Sequence, residues 1–419
     1  MAVPISDMKK KIAIDITPLQ SEDSFRGIGR VVQKIVEKLL KDGPFLRQYD
    51  VVLVKYQEQS IFDHYNKIHV LPSRVNGKKL LHDFLTEQSI DLYHCYKDLL
   101  PDKKPEKTII VTEHYDVIPL LICDEPQLKR SKTQFAGKYF PGDSFMGRSL
   151  YYLFLSALNL GLFHILERRG RRQFKNYLDE TVRMSDYFIC ISESARRDFL
   201  RYYPGIHAGD ARVVPLGVDA VRVSRGDGGI PDRFGLTKGE YFYYMGGFDH
   251  RKNIQGLLEI FSIFLARNSG YRSYKLVMIG KYTGMERYLA CLISRYGLRE
   301  RVVLTGYLDD REASSIMTCS KLFLFASLYE GFGLPVLEAM VAGVPAVAYA
   351  NSSIPEVAGD ACALVRDGDK DAFVAAMERM LRDKHSYGEY RKKGLRQAKR
   401  FTWEATVKEL KSVYRDIVE

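Results

Sequence analysis

Residues 325–349 read FASLYEGFGLPVLEAMVAGVPAVAY. The stretch begins as an apolar run typical of a buried strand, and it continues as an apolar run of helical length that Gly343 ends. Pro335 stands where the helix begins, because its fixed φ suits the first helical turn. The pattern predicts a strand, a loop and a helix, with the loop at the carboxyl end of the strand and the amino end of the helix.

The loop carries two features that a packed core does not need. Glu330 and Glu338 stand eight positions apart, and Gly331 and Gly333 lie between them. The glycines let a ligand approach the backbone, and free N–H groups from Gly333 to Val336 favour an anion such as a diphosphate. Carboxylates accept hydrogen bonds from the vicinal hydroxyl groups of sugars. Stabilisation of the helix dipole would explain one glutamate but not both.

Short apolar runs of this kind recur along the chain and alternate with helical segments. They are rich in β-branched and aromatic residues and lack strict alternation, which is typical of parallel strands buried on both faces. We therefore predict an α/β protein of two Rossmann-like doubly wound domains that face each other across a cleft. A polar, glycine-rich stretch at 223–235 is typical of a linker between domains. The predicted parts are domains at 1–219 and 220–399 and a terminal helix at 400–419.

The composition is that of a globular protein, with 46% apolar and 27% charged residues in a chain of 419. This length fits two domains of about 200 residues each. The six cysteines form no CxxC pair and no cluster with histidines at metal-ligand spacing. Neither a structural zinc nor a disulfide framework is expected. The N-terminus has no long apolar run, so we expect no signal peptide and a cytoplasmic location.

The net charge of +11 is concentrated in one segment, residues 129–175, which carries ten Lys or Arg against two acidic residues. Within it, residues 149–166 contain no Asp, Glu, Lys or Arg, and RRGRRQFK follows at 168–175. The pattern favours a helix on an anionic membrane surface, and it also suits a buried helix with a basic end. The basic excess does not adjoin stacked aromatic residues, so we expect no nucleic-acid partner.

The motif EGFGLPVLEAMVAGVPAVA resembles the E-x7-E signature of family 4 retaining glycosyltransferases, which have the GT-B fold. The spacing of the glutamates, the glycines, the proline and the following AxGxPxV all match. The resemblance implies that Glu338 binds the ribose of a nucleotide-sugar donor and that Glu330 contacts the transferred sugar. It also implies donor contacts from the loop between them, at Gly331, Phe332, Gly333 and Leu334.

The segment YYMGGFDHRKNI, residues 243–254, resembles the family's strand–glycine–basic segment, in which a lysine neutralises the donor diphosphate. Lys252 matches that lysine, and Gly247 belongs to the glycine turn. Phe248 stands where the family often has an arginine, which makes Arg251 the candidate to replace it. A solvated Arg–Lys pair is the alternative interpretation.

Two segments of the first domain also resemble the family. FRGIGRVV at 25–32 resembles the glycine loop beside the diphosphate, which implies a donor contact for Gly29. VTEHYDVIPLL at 111–121 resembles a loop that supplies a catalytic aspartate, and Asp116 matches it. His114 is one position out of register with the family histidine, so a catalytic role and a supporting role both stay open.

CISESARRDF at 190–199 resembles the family's serine-helix segment, in which an arginine, here Arg196, can face the cleft. The resemblance implies a donor contact for Arg196. The resemblance spans about residues 12–364. It implies that the first domain binds the acceptor, that the second binds the nucleotide-sugar donor, and that the helix at 400–419 crosses back to the first domain.

RGIGR together with VIPLL resembles the mannosyltransferases that build bacterial O-polysaccharides. This implies a retaining hexosyltransferase that uses GDP-mannose and extends a lipid-linked surface glycan at the inner face of the cell membrane. Asp116, Lys252 and Glu330 would be the catalytic residues. No DxD pair is placed to bind a metal, so we expect no metal and no cofactor; Lys252, Arg251 and the helix start would stabilise the leaving diphosphate.

Other functions stay open. The donor could be a UDP- or dTDP-sugar such as rhamnose. The chain could also be a noncatalytic scaffold of glycosyltransferase shape, although such a protein would normally have lost Lys252 or Glu338. A dinucleotide-dependent oxidoreductase is disfavoured, because no GxGxxG motif follows the first strand.

Overall fold

The computed structural model describes residues 9–20, 27–57, 60–72, 76–96, 99–114, 162–219 and 229–418. These residues fall into two units. The first contains the described residues up to 114, residues 175–217 and residues 401–418. The second contains the described residues 162–174, 218–219 and 229–400. Asp116, and all of the basic segment before residue 162, lie outside the described residues.

In the described part of the first unit, seven parallel strands form one sheet in the order β3–β2–β1–β4–β5–β6–β7. Ile12, Ala13 and Ile14 of β1, an interior strand, are fully buried, because helices cover both faces of the sheet. The strands are β1 Lys10–Asp15, β2 Tyr49–Tyr56, β3 Ile68–Leu71, β4 Leu92–Cys95, β5 Ile109–His114, β6 Tyr187–Cys190 and β7 Ala211–Val213.

In the described part of the second unit, six parallel strands form a sheet in the order β10–β9–β8–β11–β12–β13. Strands β8 and β11 are neighbours at its centre, so their carboxyl ends bring the following loops together. The strands are β8 Tyr241–Met245, β9 Lys275–Ile279, β10 Val302–Gly306, β11 Leu322–Phe325, β12 Ala346–Tyr349 and β13 Ala363–Val365.

Helices connect the strands as parallel topology requires. Several begin at a capping side chain; at Asp309 and Glu312 the two side chains and backbone N–H groups form a reciprocal capping box. The helices are α1 Ile28–Lys41, α2 Gly43–Gln48, α3 Gly77–Glu87, α4 Leu162–Met184, α5 Glu193–Tyr202, α6 Gly229–Arg233, α7 Ile254–Arg267, α8 Glu286–Arg295, α9 Asp310–Cys319, α10 Leu334–Val341, α11 Ile354–Ala358, α12 Lys370–Arg382, α13 Lys384–Ala398 and α14 Trp403–Val418.

The last helix, α14, packs on the first unit. The Thr402 hydroxyl accepts from the Ala405 N–H at 3.1 Å and caps its start. The Thr406 hydroxyl donates to the Pro215 carbonyl at 2.8 Å. At the other end, the buried Tyr414 hydroxyl lies 2.5 Å from Nδ1 of the buried His94. The helix thereby supplies part of the core of the first unit.

The predicted alternation of strands and helices in two parallel α/β sheets is confirmed. The apolar helix predicted at 149–166 lies mostly outside the described residues, and the basic run RRGRRQFK is part of α4. In the described ranges, no helix is both long and apolar enough to cross a bilayer.

Candidate functional site

Glu330 lies in the loop between β11 and α10, at the carboxyl end of a central strand, and only 5% of its surface is exposed. Its Oε1 accepts from Lys252 Nζ and from the Ser327 hydroxyl, both at 2.6 Å. Its Oε2 accepts from Arg251 Nη1 at 3.1 Å. Burial alone would raise the pKa of Glu330, but the charges of Lys252 and Arg251 and these hydrogen bonds outweigh it. The pKa therefore lies below its ordinary value, and the carboxylate is ionised at neutral pH.

Lys252 and Arg251 stand on the turn His250–Lys252, which follows β8. The Leu328 N–H donates to the Arg251 carbonyl at 2.7 Å, which ties this turn to the loop that carries Glu330. Lys252 is buried, and its ammonium lies 5.5 Å from the centroid of the Phe325 ring. Arg251 also contacts the half-exposed Asp249, with 3.1 Å between Nε and Oδ1. The Arg251–Lys252 pair is thus part of an ionic cluster in which Lys252 is buried and Arg251 partly buried, rather than a solvated pair.

The turn before these cations and the turn that follows the neighbouring strand each require a glycine. Gly246 has φ +155° and Gly280, after the neighbouring strand β9, has φ +154°. A Cβ on Gly280 would lie 2.0 Å from the Gly246 carbonyl oxygen. The Tyr244 hydroxyl donates to the Gly247 carbonyl. These contacts fix the path of the backbone towards Lys252.

Phe248, at the position where the resembling family often has an arginine, is a core residue here. It is 4% exposed and meets the rings of Tyr244 and Tyr282 edge to face, at 6.0 and 5.7 Å between centroids. Arg251 is the arginine that reaches Glu330.

The start of α10 differs from its prediction in one respect. Gly333 has φ +105°, and its carbonyl accepts from the Val336 N–H at 3.0 Å. Pro335 has no N–H. The predicted run of free amides up to Val336 is therefore wrong, because the first turn closes on Gly333; an anion at this helix start has only the amides up to Leu334. Phe332, next to Gly333, is buried at 3% exposure.

Glu338 lies inside α10 and is partly exposed, unlike Glu330. Burial and, after it, the Glu338 charge raise the pKa of the fully buried Tyr243. The structure thus brings Lys252, Arg251, Glu330 and Glu338 into one unit, on the segments that follow β8 and β11.

The first unit holds two residues that the sequence predicts as donor contacts, Gly29 and Arg196. Gly29 is buried in the first turn of α1, and Gly27, at φ +61°, is the glycine that precedes the helix. The Arg196 guanidinium donates to the carbonyls of Ala211 at 2.7 Å and Ala208 at 2.8 Å. These bonds tie α5 to the segment that begins β7, and the donor contact of Arg196 stays a prediction.

His114 ends β5 and is buried, with its ring stacked on Phe199 at 4.3 Å between centroids. Burial lowers the pKa of His114 to about 4, so the imidazole is neutral at physiological pH. Its surroundings fit a packing role better than that of a general acid.

Sequence reasoning missed the serines that hold the Glu330 loop. Ser327 contacts the carboxylate directly, and the fully buried Ser353 donates to the carbonyls of Glu330 and Phe332 at 2.9 and 2.7 Å. The one available signal was the polar run NSS at 351–353, directly after an apolar strand. Across the described ranges, no group of three or more His, Cys, Asp or Glu side chains could hold a metal ion.

The fold is shared with solved glycosyltransferase-type structures. The structure of Anabaena HepE in complex with UDP and glucose matches with a TM-score of 0.65 and 14% identity, over 97% of this chain and 100% of that one. The predicted fold class, GT-B, is confirmed.

The resemblance to a family is confirmed as well: residues 230–400 match the family model described as glycosyl transferases group 1. The O-antigen chain mannosyltransferase B of Escherichia coli is 34% identical over 187 residues, 44% of this chain and 48% of that protein. The serotype-specific mannosyltransferase WbdA of Escherichia coli is 30% identical over 249 residues, 56% of this chain and 29% of that protein. The matches thus span about half of the first relative and less than a third of the second.

Proposed function

We propose that this chain is a retaining glycosyltransferase that moves a hexose from a nucleotide-diphosphate sugar to a growing, lipid-linked bacterial surface glycan. The observation that carries the proposal is the buried cluster of Lys252, Arg251 and Glu330 beside the helix that bears Glu338. It lies in the segment that matches the group 1 glycosyltransferases, at the carboxyl ends of parallel strands, where open α/β sheets bind ligands.

The charges of the cluster suit a diphosphate. Glu330 holds Lys252 in place with a bond of 2.6 Å, whereas the partner of Arg251 on the solvent side, Asp249, is 49% exposed. Water already screens that outer pair, so a diphosphate replaces Asp249 on Arg251 with little loss. Amides at the start of α10 add further donors to the anion.

The rest of the donor reaches the two glutamates. Glu338, partly exposed on α10, accepts hydrogen bonds from the ribose hydroxyls. Glu330, which holds Lys252 at the diphosphate, contacts the transferred sugar. GDP-mannose is the favoured donor, which the names of the two mannosyltransferase relatives support. A UDP-sugar is the second candidate, because the matching HepE structure contains UDP and glucose.

The cluster supplies what the bond cleavage needs. Negative charge develops on the diphosphate as the sugar–phosphate bond breaks, and fixed cations and backbone dipoles stabilise it in the buried site. The acceptor attacks on the face that the leaving diphosphate vacates, and a phosphate oxygen takes its proton. We propose that the reaction needs no metal ion and retains the anomeric configuration, with Asp116 as a further catalytic residue.

The basic segment 129–175 would hold the enzyme on the inner face of the cell membrane, where a lipid-linked acceptor is found. Its ten basic residues suit an anionic lipid surface, on which each basic side chain contributes roughly 1 kcal/mol. Among its basic residues, the structure describes the side chains of Arg172 and Lys175. Both are exposed on α4.

A nucleotide screen tests the proposal. The thermal midpoint of the full chain is measured with GDP, UDP, ADP and dTDP, and transfer is then assayed from the matching sugar nucleotide. GDP at 100 times its dissociation constant should stabilise the protein by about 2.7 kcal/mol. Glu338→Gln should keep the fold and lose this stabilisation and the transfer, whereas the exposed Lys384→Ala control should keep both.

The outcomes separate the candidate functions. A response to UDP or dTDP alone would replace GDP-mannose as the donor. Binding without transfer, or no response to any nucleotide, would favour the noncatalytic scaffold and contradict the proposal.

A further inference from the structure

Asn351, just after β12, joins three segments of the second unit through its side chain. Its Nδ2 donates to the Ser327 carbonyl and to Asp367 Oδ1, each at 2.8 Å. Its Oδ1 accepts from the Ser352 hydroxyl at 3.0 Å. Both amide hydrogens and the amide oxygen are therefore engaged, and only one orientation of the amide satisfies these partners.

The connection continues to Glu330. The Glu330 N–H donates to Ser352 Oγ at 2.9 Å, and its carbonyl accepts from the Ser353 hydroxyl at 2.9 Å. Ser327, whose carbonyl is bonded to Asn351, donates its hydroxyl to the Glu330 carboxylate. Asn351 thus acts on Glu330 from two sides: on the backbone through Ser352 and on the carboxylate through Ser327.

This arrangement is held against two local penalties. Ser352 has φ +45°, a left-handed conformation that costs a residue with a side chain roughly 1 kcal/mol or more. Burial raises the pKa of Asp367, which means that its ionised form is disfavoured in the fold, although the hydrogen bond from Asn351 partly offsets this. Penalties of this kind persist where surrounding contacts enforce a particular geometry.

We infer that Asn351 is a positioning residue for Glu330, which keeps the carboxylate against Lys252 by fixing Ser352 and Ser327. The inference rests on the proposed function for the catalytic place of Glu330, but the positioning is a property of the folded protein that is measurable without any donor. Neither resemblance nor motif spacing assigns Asn351 a role.

The test uses two variants and one matched control. Asn351→Ala removes the central amide. Ser352→Gly removes the hydroxyl while glycine accepts the positive φ, so the backbone strain is relieved rather than increased. The control is Asn268→Ala: Asn268 also donates to a carbonyl, that of Phe264 at 2.9 Å, and to a carboxylate, that of Glu378 at 2.8 Å. It lies at the end of α7, and its bonds involve none of the Glu330 loop.

The first readout is the pKa of Glu330, measured by carboxyl 13C NMR on the full chain with labelled glutamate, with Glu330→Gln identifying the resonance. We expect it to rise by about one pH unit in Asn351→Ala and in Ser352→Gly, since the carboxylate leaves Lys252. Asn268→Ala should titrate as the wild type does. An unchanged Glu330 pKa in the first two variants overturns the inference, and so does an equal rise in the control.

The second readout is transfer from the donor that the nucleotide screen identifies. Misplacement of Glu330 should lower kcat ten- to a hundredfold in Asn351→Ala and Ser352→Gly, with a small effect on the donor KM and none in the control. A wild-type protein that transfers nothing contradicts the proposed function and leaves the NMR titration to decide the inference. A normal kcat and an unchanged Glu330 pKa in Ser352→Gly would mean that Asn351 packs without positioning Glu330. That result overturns the inference.

Discussion

Lys252 and Glu330 form an ion pair that stability alone does not require. Each side chain is 7% exposed, and desolvation of two charges offsets much of their attraction. An apolar pair of similar size would serve the core at least as well. The pair is therefore best understood through the chemistry proposed for the site, in which the cation must be held in place before the donor binds.

The acid stability of the protein should report this pair. The folded pKa of Glu330 lies below its ordinary value of 4.5, so ionised Glu330 stabilises the fold above that pH. This contribution is lost as pH falls from 4.5 through the folded pKa. In Glu330→Gln there is no such loss, so the stability difference between wild type and variant should shrink by at most about 1.4 kcal/mol per pH unit.

Urea unfolding of both proteins between pH 6 and pH 3 measures this difference. The buried His114 and His94, whose pKa values are lowered by burial to about 4 and about 3, also destabilise the fold as pH falls. They are present in both proteins, so their effect cancels. A difference that stays constant below pH 4.5 would mean that Glu330 is not ionised and held by Lys252 in the fold.

Among single residues, the sequence predicts the charged residues of the candidate site better than the residues that position them. Glu330 and Lys252 were predictable because their motifs are specific, and the structure places them in contact. Ser352 and Asn351 were not, because their role depends on a positive φ and on contacts between loops that are distant along the chain.

Two loops set the geometry of the site at the scale of elements. The turn after β8 carries Lys252, and the turn after β9 passes so close to it that Gly280 has no room for a Cβ. The parallel pairing of β8 and β9 imposes this approach. The position of the lysine thus depends on a glycine in another loop.

Gly280→Ala should therefore disturb the candidate site although residue 280 carries no chemistry. A Cβ would lie 2.0 Å from the Gly246 carbonyl oxygen, and φ +154° is strained for alanine. We expect a loss of about 1–3 kcal/mol of unfolding free energy and weaker nucleotide binding. Urea unfolding and the nucleotide thermal shift measure the two effects.

Gly270→Ala is the matched control, because a Cβ there meets nothing within 4 Å. Its effect should be within about 1 kcal/mol and is expected to be stabilising, since alanine restricts the unfolded chain. If the two alanine variants have equal unfolding free energies and equal nucleotide thermal shifts, the turns after β8 and β9 are not closely packed.

The elements themselves follow from the sequence more closely than their ends do. The helices Ile28–Lys41 and Ile254–Arg267 both follow long apolar periodicity that is visible in the sequence. The Asn253 side chain also caps the start of the second. The amide pattern at the start of α10 was not predictable, because it depends on the φ of Gly333.

For the whole molecule, the chain does not keep each unit to one continuous stretch. After the second unit ends near residue 400, the helix Trp403–Val418 returns to the first unit. It buries an apolar face that includes Trp403, Leu410 and Tyr414. The core of the first unit is therefore complete only when the last residues of the chain have folded onto it.

Loss of this helix face should weaken the first unit selectively. Leu410 is 1% exposed, and Leu410→Ala should cost about 2–5 kcal/mol through a cavity in that core. Amide hydrogen exchange should then be faster in peptides that cover β1 and β4 of the first sheet, while peptides that cover β8 and β11 keep their protection.

Leu395→Ala, at a site that is 40% exposed in α13, should change stability by less than about 0.5 kcal/mol and leave both sets of peptides unchanged. Faster exchange of β8 and β11 to the same degree as β1 and β4 would show that the helix stabilises the molecule as one cooperative body. That result would contradict its assignment to the first unit alone.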